Sequence, residues 1–467
     1  MANASGRMAW LPNRRLIPAL EAGKGSCDQI LGNSAGAPAV IVSQGRKRNA
    51  GPPMIGALTR SALFVPFRTR SFRFQFPADM LTSWGIEMEN LVLGWYILVE
   101  TGSVLLLSLF WALQYLGTLL APLVGMAGDR LGHRTVLCSM RIVYAALALT
   151  LMSLAFAGLL HPLQVFIIAT LSGLLRPCDQ TMRNALIAET IPAQQLMPAM
   201  GVSRTTQDSA RIFGSLVGAG LFAAFGIGWA YLAISLFYGF GFLLTLGVGG
   251  ARQEVTGARP PVWRDLVDGL AYVWDTPVSL ASIWLAFLVN LTAFPFTGGL
   301  LAYVARDVYQ IDQTGLGTLV ASFALGSLIG SVGVSMAGRM LRPARMMIVF
   351  AIAWYALLLV FAHMPGPEGG RVALMLAGIA QALSLVPMSV LLLHSAGARY
   401  RGRVMGVRTL AIYGVPPGLL IAGALIDRIG YVATVSLFCV VGGILTALIG
   451  LRWRAALWPL SSPANAR

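Results

Sequence analysis

Six polar side chains stand inside apolar runs long enough to cross a lipid bilayer: Asp79, Glu87, Glu89, Asn90, Arg176 and Asp179. Charge is costly there, so such groups face a cavity or a partner. Asp79, Ser83, Glu87, Asn90 and Gly94 follow one another by 4, 4, 3 and 4 residues, which makes one stripe on a helix. Glu89 falls nearly opposite Glu87. This phasing favours Glu87 as a cavity carboxylate that could load and release a proton. Glu89 becomes a helix contact or a second candidate, and Asp79 stands closer to the membrane surface. The plain alternative is an acid pinned in an interhelical ion pair. Further on, Ser172, Arg176, Asp179, Gln180 and Arg183 share a face. Asp179 lies three residues after Arg176 and four before Arg183, so local pairing alone would satisfy it.

The elements that must hold these groups are membrane helices. Hydrophobic residues make up 57% of the 467-residue chain and charged residues only 11%, too few to cover a soluble surface. Apolar runs of about 20 residues recur, the length a bilayer demands. We place twelve spans at 74–98, 104–126, 136–159, 162–185, 207–227 and 229–250, then 278–304, 314–337, 345–363, 371–395, 405–426 and 430–452. This predicts an all-α integral membrane protein with two six-helix bundles over 72–250 and 278–455. A basic, disordered extension is expected over 1–71 and a tail over 456–467. Between the bundles, a linker over 251–277 carries apolar residues at 263, 266, 267, 270, 273 and 274. That spacing suggests an amphipathic helix at the interface or a solvated cover for the bundles.

The net charge of +16 reflects topology rather than nucleic-acid binding. Loops after spans 2, 4, 6, 8 and 10 carry Arg130, Arg134, Arg204, Arg252, Arg259, Arg264, Arg339, Arg342, Arg345, Arg399, Arg401 and Arg403. The opposite loops carry only Arg306, Arg371 and Arg428, which puts both termini in the cytoplasm. The cysteines Cys27, Cys138, Cys178 and Cys439 match no metal or disulfide spacing. His133, His161, His363 and His394 are isolated, and neither a nucleophile elbow nor a phosphate-binding loop is present. No enzyme, metal or cofactor is therefore expected, and without a nucleotide site the drive would come from an ion gradient.

Between spans 2 and 3 the chain reads Gly125-Met-Ala-Gly-Asp129-Arg130-Leu-Gly132-His-Arg134. Gly125 and Gly132 would permit close helix ends and a positive φ. Asp129 would sit at an electropositive helix N-terminus. Arg130 and Arg134 would hold the loop on the cytoplasmic side. This motif resembles the loop between the second and third helices of the major facilitator superfamily of secondary transporters. A worn copy, Gly338-Arg339 and Arg342-Pro343-Ala344-Arg345, lies in the second half. The resemblance runs from about Phe72 to Trp458 and looks closest to the branch of siderophore, drug and macrolide exporters. It is carried by Arg183 to Leu196, Ala210 to Gly218, Leu266 to Val273, and Arg401 to Leu425. Where many proton-coupled exporters carry Gly-Pro in span 5, this chain has Gly214-Ser215, with Gly218 and Gly220 retained.

The resemblance implies a central cavity lined by spans 1 and 4, and alternation between two openings. A Glu87–Arg176 or Asp179–Arg176 pair that breaks on protonation is the sharper expectation. Asp208 and Arg211 are expected to brace the cytoplasmic gate beside the loop. In the second half the candidate cavity groups are neutral: Asn290, Thr292, Gln381, Ser384 and Tyr413, with aromatics and Met388 around them. Acids on one side and apolar walls on the other suit amphipathic organic substrates. The expected partners are a small-molecule substrate, protons and the lipid bilayer, with the chain acting as a monomer in a bacterial inner membrane. The leading reading is export against proton entry. An uptake symporter and a transport-inactive sensor or partner-binding protein are the alternatives.

Overall fold

The computed structural model describes residues 65–192, 195–249, 262–337 and 342–458. The expected N-terminal extension falls outside these residues up to position 64, and the tail does so from 459. The first half holds span 1 (Arg70–Thr101), span 3 (His133–Phe156), span 4 (Pro162–Thr190), span 5 (Leu196–Phe225) and span 6 (Ile227–Leu246). Span 2 runs in pieces, Val104–Leu113, a 3-10 turn Leu116–Leu119, and Ala121–Leu131. In the second half, span 8 is Gln313–Ala337, span 9 Pro343–Ala362, span 10 Pro367–Ser395 and span 12 Tyr431–Arg452. Span 7 begins as Pro277–Thr292 and continues in short pieces to a π-helical turn at Val304–Val308. Span 11 is assembled from Gly397–Leu410, Ala411–Gly414 and Val415–Ile429.

All twelve expected spans are present. Span 5 starts eleven residues earlier than its expected position 207, because polar residues such as Thr206, Gln207 and Asp208 are helical as well. Among the described residues, seven helices are long and apolar enough to cross a membrane unaided: spans 3, 6 and 8 to 12. Spans 1, 4 and 5 fall short because they carry the polar groups at issue. Spans 2 and 7 fall short because they are broken.

Close packing is set by small residues, as membrane interiors require. A Cβ on Gly117 would meet the Leu174 carbonyl oxygen at 2.1 Å, and one on Gly173 would meet that of Leu113 at 2.2 Å. Spans 2 and 4 therefore touch backbone to backbone. Gly326 and Gly330 do the same for spans 8 and 10, whereas Gly333, read from sequence as part of that packing, faces open space. Spans 5 and 6 meet at Gly226 (φ +84°), and spans 11 and 12 meet at Gly430 (φ +83°). These matching one-residue corners repeat the same device in each half.

The loop motif is partly as expected. Gly132 adopts φ +90° between spans 2 and 3. The close approach belongs to Gly128, whose Cβ would lie 2.8 Å from Met182 Sδ; Gly125 has nothing within 4 Å. Asp129 lies in the last turn of span 2, with Oδ1 3.6 Å from Nε2 of His133, the first residue of span 3. His133 Nδ1 in turn lies 2.6 Å from Glu189 Oε1 on span 4. Arg134 bonds the Leu246 carbonyl at the end of span 6, and Arg130 is exposed.

The linker helix Val262–Asp275 ends in a turn of 110° onto span 7. Its expected apolar stripe divides in two. Val273 is buried, Tyr272 stacks on Tyr400 at 4.6 Å, and Asp268 pairs with Arg403 at 3.3 Å. Val267, Leu270 and Trp274 are exposed on the other side. The side chains at 263 and 266 lie outside the described residues.

The two halves approach one another at the end opposite the loop motif. There the Arg306 guanidinium donates to the Leu98 carbonyl at 2.7 Å. A Cβ on Gly317 of span 8 would meet Ala219 Cβ of span 5 at 2.6 Å, and one on Gly423 of span 11 would meet Ser108 Oγ of span 2 at 2.4 Å.

Candidate functional site

Two cavities open inside the bundle. One, of about 180 Å³, lies between the halves and is walled by Leu91, Trp111, Tyr115, Phe294, Val320, Phe323 and Leu419, with Asn90 at its edge. The other, of about 320 Å³, is polar and lined by Ser83, Glu87, Arg176, Asp179, Gln180, Arg183, Gln207, Asp208 and Arg211. Glu87 and Arg211 belong to both. Together the two volumes reach the range typical of organic-ligand sites, about 300–1,000 Å³. The breaks in spans 2 and 7 lie here: Trp111 and Tyr115 flank one, while Thr297, Gly298 and Gly299 line the other. Irregular backbone at membrane depth is tolerated where it borders a cavity.

The remaining polar groups of span 1 are committed elsewhere. Glu89 is buried; its Oε2 accepts from Arg176 Nη2 at 2.8 Å and from the Tyr238 hydroxyl at 2.6 Å. Arg176 also holds the Asn90 amide oxygen. Asp79 is enclosed among the helices. It pairs with Arg141, and its Oδ1 lies 3.6 Å from Arg183 Nε. Arg183 binds Asp179 Oδ2 at 2.5 Å and donates to Ser83 Oγ at 2.7 Å. Arg141, itself fully buried, also donates to the Gly241 carbonyl at 3.1 Å and to the Thr245 hydroxyl. Spans 1, 3, 4 and 6 are thus tied by balanced charge. Two carboxylates meet two guanidinium groups in one cluster, and one of each meet in the Glu89–Arg176 pair.

The helical phasing of span 1 holds at its centre: Glu87 faces the cavity and Glu89 faces a neighbouring helix. The proposed pairings do not hold. Arg176 takes Glu89, not Glu87 or Asp179, because Glu89 points toward span 6 and Arg176 lies on the same side. Asp179 takes its i+4 neighbour Arg183. Asp208 and Arg211 line the polar cavity. In the second half, Asn290 donates to the Ala411 carbonyl at 3.0 Å and joins spans 7 and 11. Ser384 donates to the Met347 carbonyl at 2.8 Å, and Thr292 shares a 2.6 Å bond with the Tyr355 hydroxyl. Gln381 is buried in span 10, and neither it nor Tyr413 lines these two cavities. In the second half the aromatic wall comes from Phe294 in span 7 and Phe323 in span 8.

Arg141, Tyr238 and Glu189 escaped sequence reasoning. Arg141 had a usable signal, as a lone guanidinium in the apolar run of span 3. Tyr238 and Glu189 had none, since a tyrosine or a helix-end acid is common anywhere.

Comparison with known proteins agrees with this architecture. The sequence profile of the Major Facilitator Superfamily matches residues 76–419. The chain is 26% identical over 355 residues to the multidrug efflux pump Tap of Mycolicibacterium fortuitum, covering 73% of this chain and 85% of that protein. It is 25% identical over 369 residues to the multidrug efflux pump Tap of Mycobacterium tuberculosis, covering 76% and 87%. Among solved structures, a bacterial homologue of the human lysosomal transporter Spinster, inward-facing and unoccupied, superposes with a TM-score of 0.60. That match covers 86% of this chain and 100% of that one at 14% identity. With twelve spans, a cavity between two six-helix halves and this profile over most of its length, the chain belongs to the Major Facilitator Superfamily and is a multi-pass membrane transporter.

Proposed function

We propose that the protein exports small amphipathic organic molecules from the cytoplasm in exchange for protons, by alternating access of its two halves. One observation carries the reading. Among the described residues, Glu87 has no ion pair and no hydrogen bond, while the other two acids inside span 1, Asp79 and Glu89, have both; Glu100, at the exposed end of the helix, lies away from the cavities. Glu87 stands where the polar and aromatic cavities join. The charged and titratable groups that share its cavities are Arg211 and Asp208 of span 5, Arg176, Asp179 and Arg183 of span 4, and Tyr115 of span 2. Protonating Glu87 removes a negative charge from this ring and releases whatever cation it holds. Deprotonation restores the site. The coupling follows from one carboxylate serving two ligands in turn.

The direction is argued from the two mycobacterial relatives, which are named efflux pumps. The excess of arginine in the loops of the motif end argues for both termini in the cytoplasm. On that orientation the halves are held together on the outer side, and the polar cavity reaches toward the cytoplasm. The experiment is flux in proteoliposomes with an imposed pH difference. Substrate should move out of the compartment that corresponds to the cytoplasm only as protons move in. Co-directional movement would make the protein an uptake symporter. Absence of flux for every amphipathic compound tried would leave a sensor.

A further inference from the structure

The two cavities contain six charged side chains, and four of them are engaged. Arg176 is held by Glu89 and Asn90, and Asp179 by Arg183. Asp208 has a partner as well. Among the described residues, Glu87 on span 1 and Arg211 on span 5 make neither an ion pair nor a hydrogen bond. They are of opposite sign, and the Arg211 guanidinium acts on the Glu87 carboxyl through space at the junction without an ion-pair contact. Both border the aromatic chamber as well as the polar one. Gly214 keeps their helices together: a Cβ there would lie 2.9 Å from Glu87 Cβ and 3.0 Å from the Trp84 carbonyl oxygen.

Two buried charges of opposite sign that border one cavity without touching leave their hydrogen-bonding capacity unmet, and a ligand that meets both at once satisfies it. We infer that the transported molecule is an amphipathic ampholyte, with a cationic group for Glu87, an anionic group for Arg211 and an aromatic body for the chamber of Trp111, Tyr115, Phe294 and Phe323. A purely cationic molecule would neutralise Glu87 and leave Arg211 without an anionic group of the ligand. A purely anionic one would leave Glu87 without a cationic group. Selection arises from the unmet partner as much as from the met one. The inference rests on the transport reading, since it names the substrate class of the same site.

The test is equilibrium binding to the full chain in lipid nanodiscs at pH 8, by titration calorimetry. Three probes share one naphthyl body: 3-(2-naphthyl)alanine, 2-(2-naphthyl)ethylamine and N-acetyl-3-(2-naphthyl)alanine. The first is an ampholyte, the second a cation and the third an anion. The ampholyte should bind at least tenfold more tightly than either relative. Glu87→Gln should abolish its advantage over the anion, and Arg211→Gln its advantage over the cation, with the residual affinities retained. Equal affinity for the three probes in the unmodified protein overturns the inference, as does binding of none. Proton-driven flux separates the two ideas. An ampholyte preference without such flux supports the inference and removes the antiport. Flux with no ampholyte preference overturns the inference alone.

Discussion

Replacing Arg141 with leucine should be the most damaging single change in the first half, although Arg141 touches neither cavity. Its guanidinium is fully enclosed and holds Asp79, the Gly241 carbonyl and the Thr245 hydroxyl. Thr245 keeps its own 2.7 Å bond to the Gly241 carbonyl, so the principal loss is the ion pair. Arg141→Leu leaves Asp79 and Asp179 sharing Arg183 alone, with one buried negative charge uncompensated. Breaking one partner of a buried pair costs about 3–5 kcal/mol. For a bundle of this size that corresponds to roughly 6–20 °C in melting temperature. The double variant Arg141→Leu, Asp79→Asn removes both charges and should regain a large part of the loss. Thermal unfolding followed by tryptophan fluorescence in one detergent gives both values. If the single variant melts within 2 °C of the parent, or the double variant is no better, the charge-balance argument is wrong.

Asp129→Asn should lower flux several-fold with normal expression, because it removes a charge worth about 0.3–2 kcal/mol beside His133 at the start of span 3; parental flux would show that the motif does not bias the conformational equilibrium. Gly214→Ala should reduce stability by about 1–3 kcal/mol through its 2.9 Å clash beside Glu87, whereas Gly220→Ala, with open space around it, should be neutral or stabilising; equal melting temperatures would contradict the packing. Asp312 caps span 8, and hydrogen bonds from the Thr314 hydroxyl (2.6 Å) and the Gly315 amide (2.9 Å) hold its carboxyl below the usual carboxylate range. Its contribution, roughly 0.5–2 kcal/mol by comparison with Asp312→Ala, is present above its unfolded value near pH 4 and lost as pH falls through the lower folded value. A pH-independent difference between the two proteins would count against the cap.

The spans were legible because bilayer thickness fixes their length and hydrocarbon fixes their composition. The facing of Glu87 and Glu89 was legible too, since two residues along a helix turn a side chain through about 200°. Partner choice was not. Arg176 could reach carboxylates on its own helix or on span 1, and only the packing of spans 1, 4 and 6 selects Glu89 and Tyr238. The first turns of span 5, from Leu196 to Thr206, were not legible either, because an apolar-run criterion leaves polar helical turns in a loop. The role of Gly128 rather than Gly125 was likewise hidden, because both fit the motif and only the nearness of Met182 tells them apart.

The most direct test of the central claim is flux through Glu87→Gln in proteoliposomes, beside Glu89→Gln, with and without an imposed pH difference. Glutamine stands for the protonated acid. Glu87→Gln should still exchange labelled substrate across the membrane at equilibrium and should lose pH-driven accumulation entirely. Glu89→Gln should melt lower, having lost the Arg176 pair, yet its folded fraction should still respond to the pH difference. Full pH-driven accumulation by Glu87→Gln, with its loss in Glu89→Gln, would contradict the assignment and make the buried acid of the Arg176–Tyr238 cluster the coupling group.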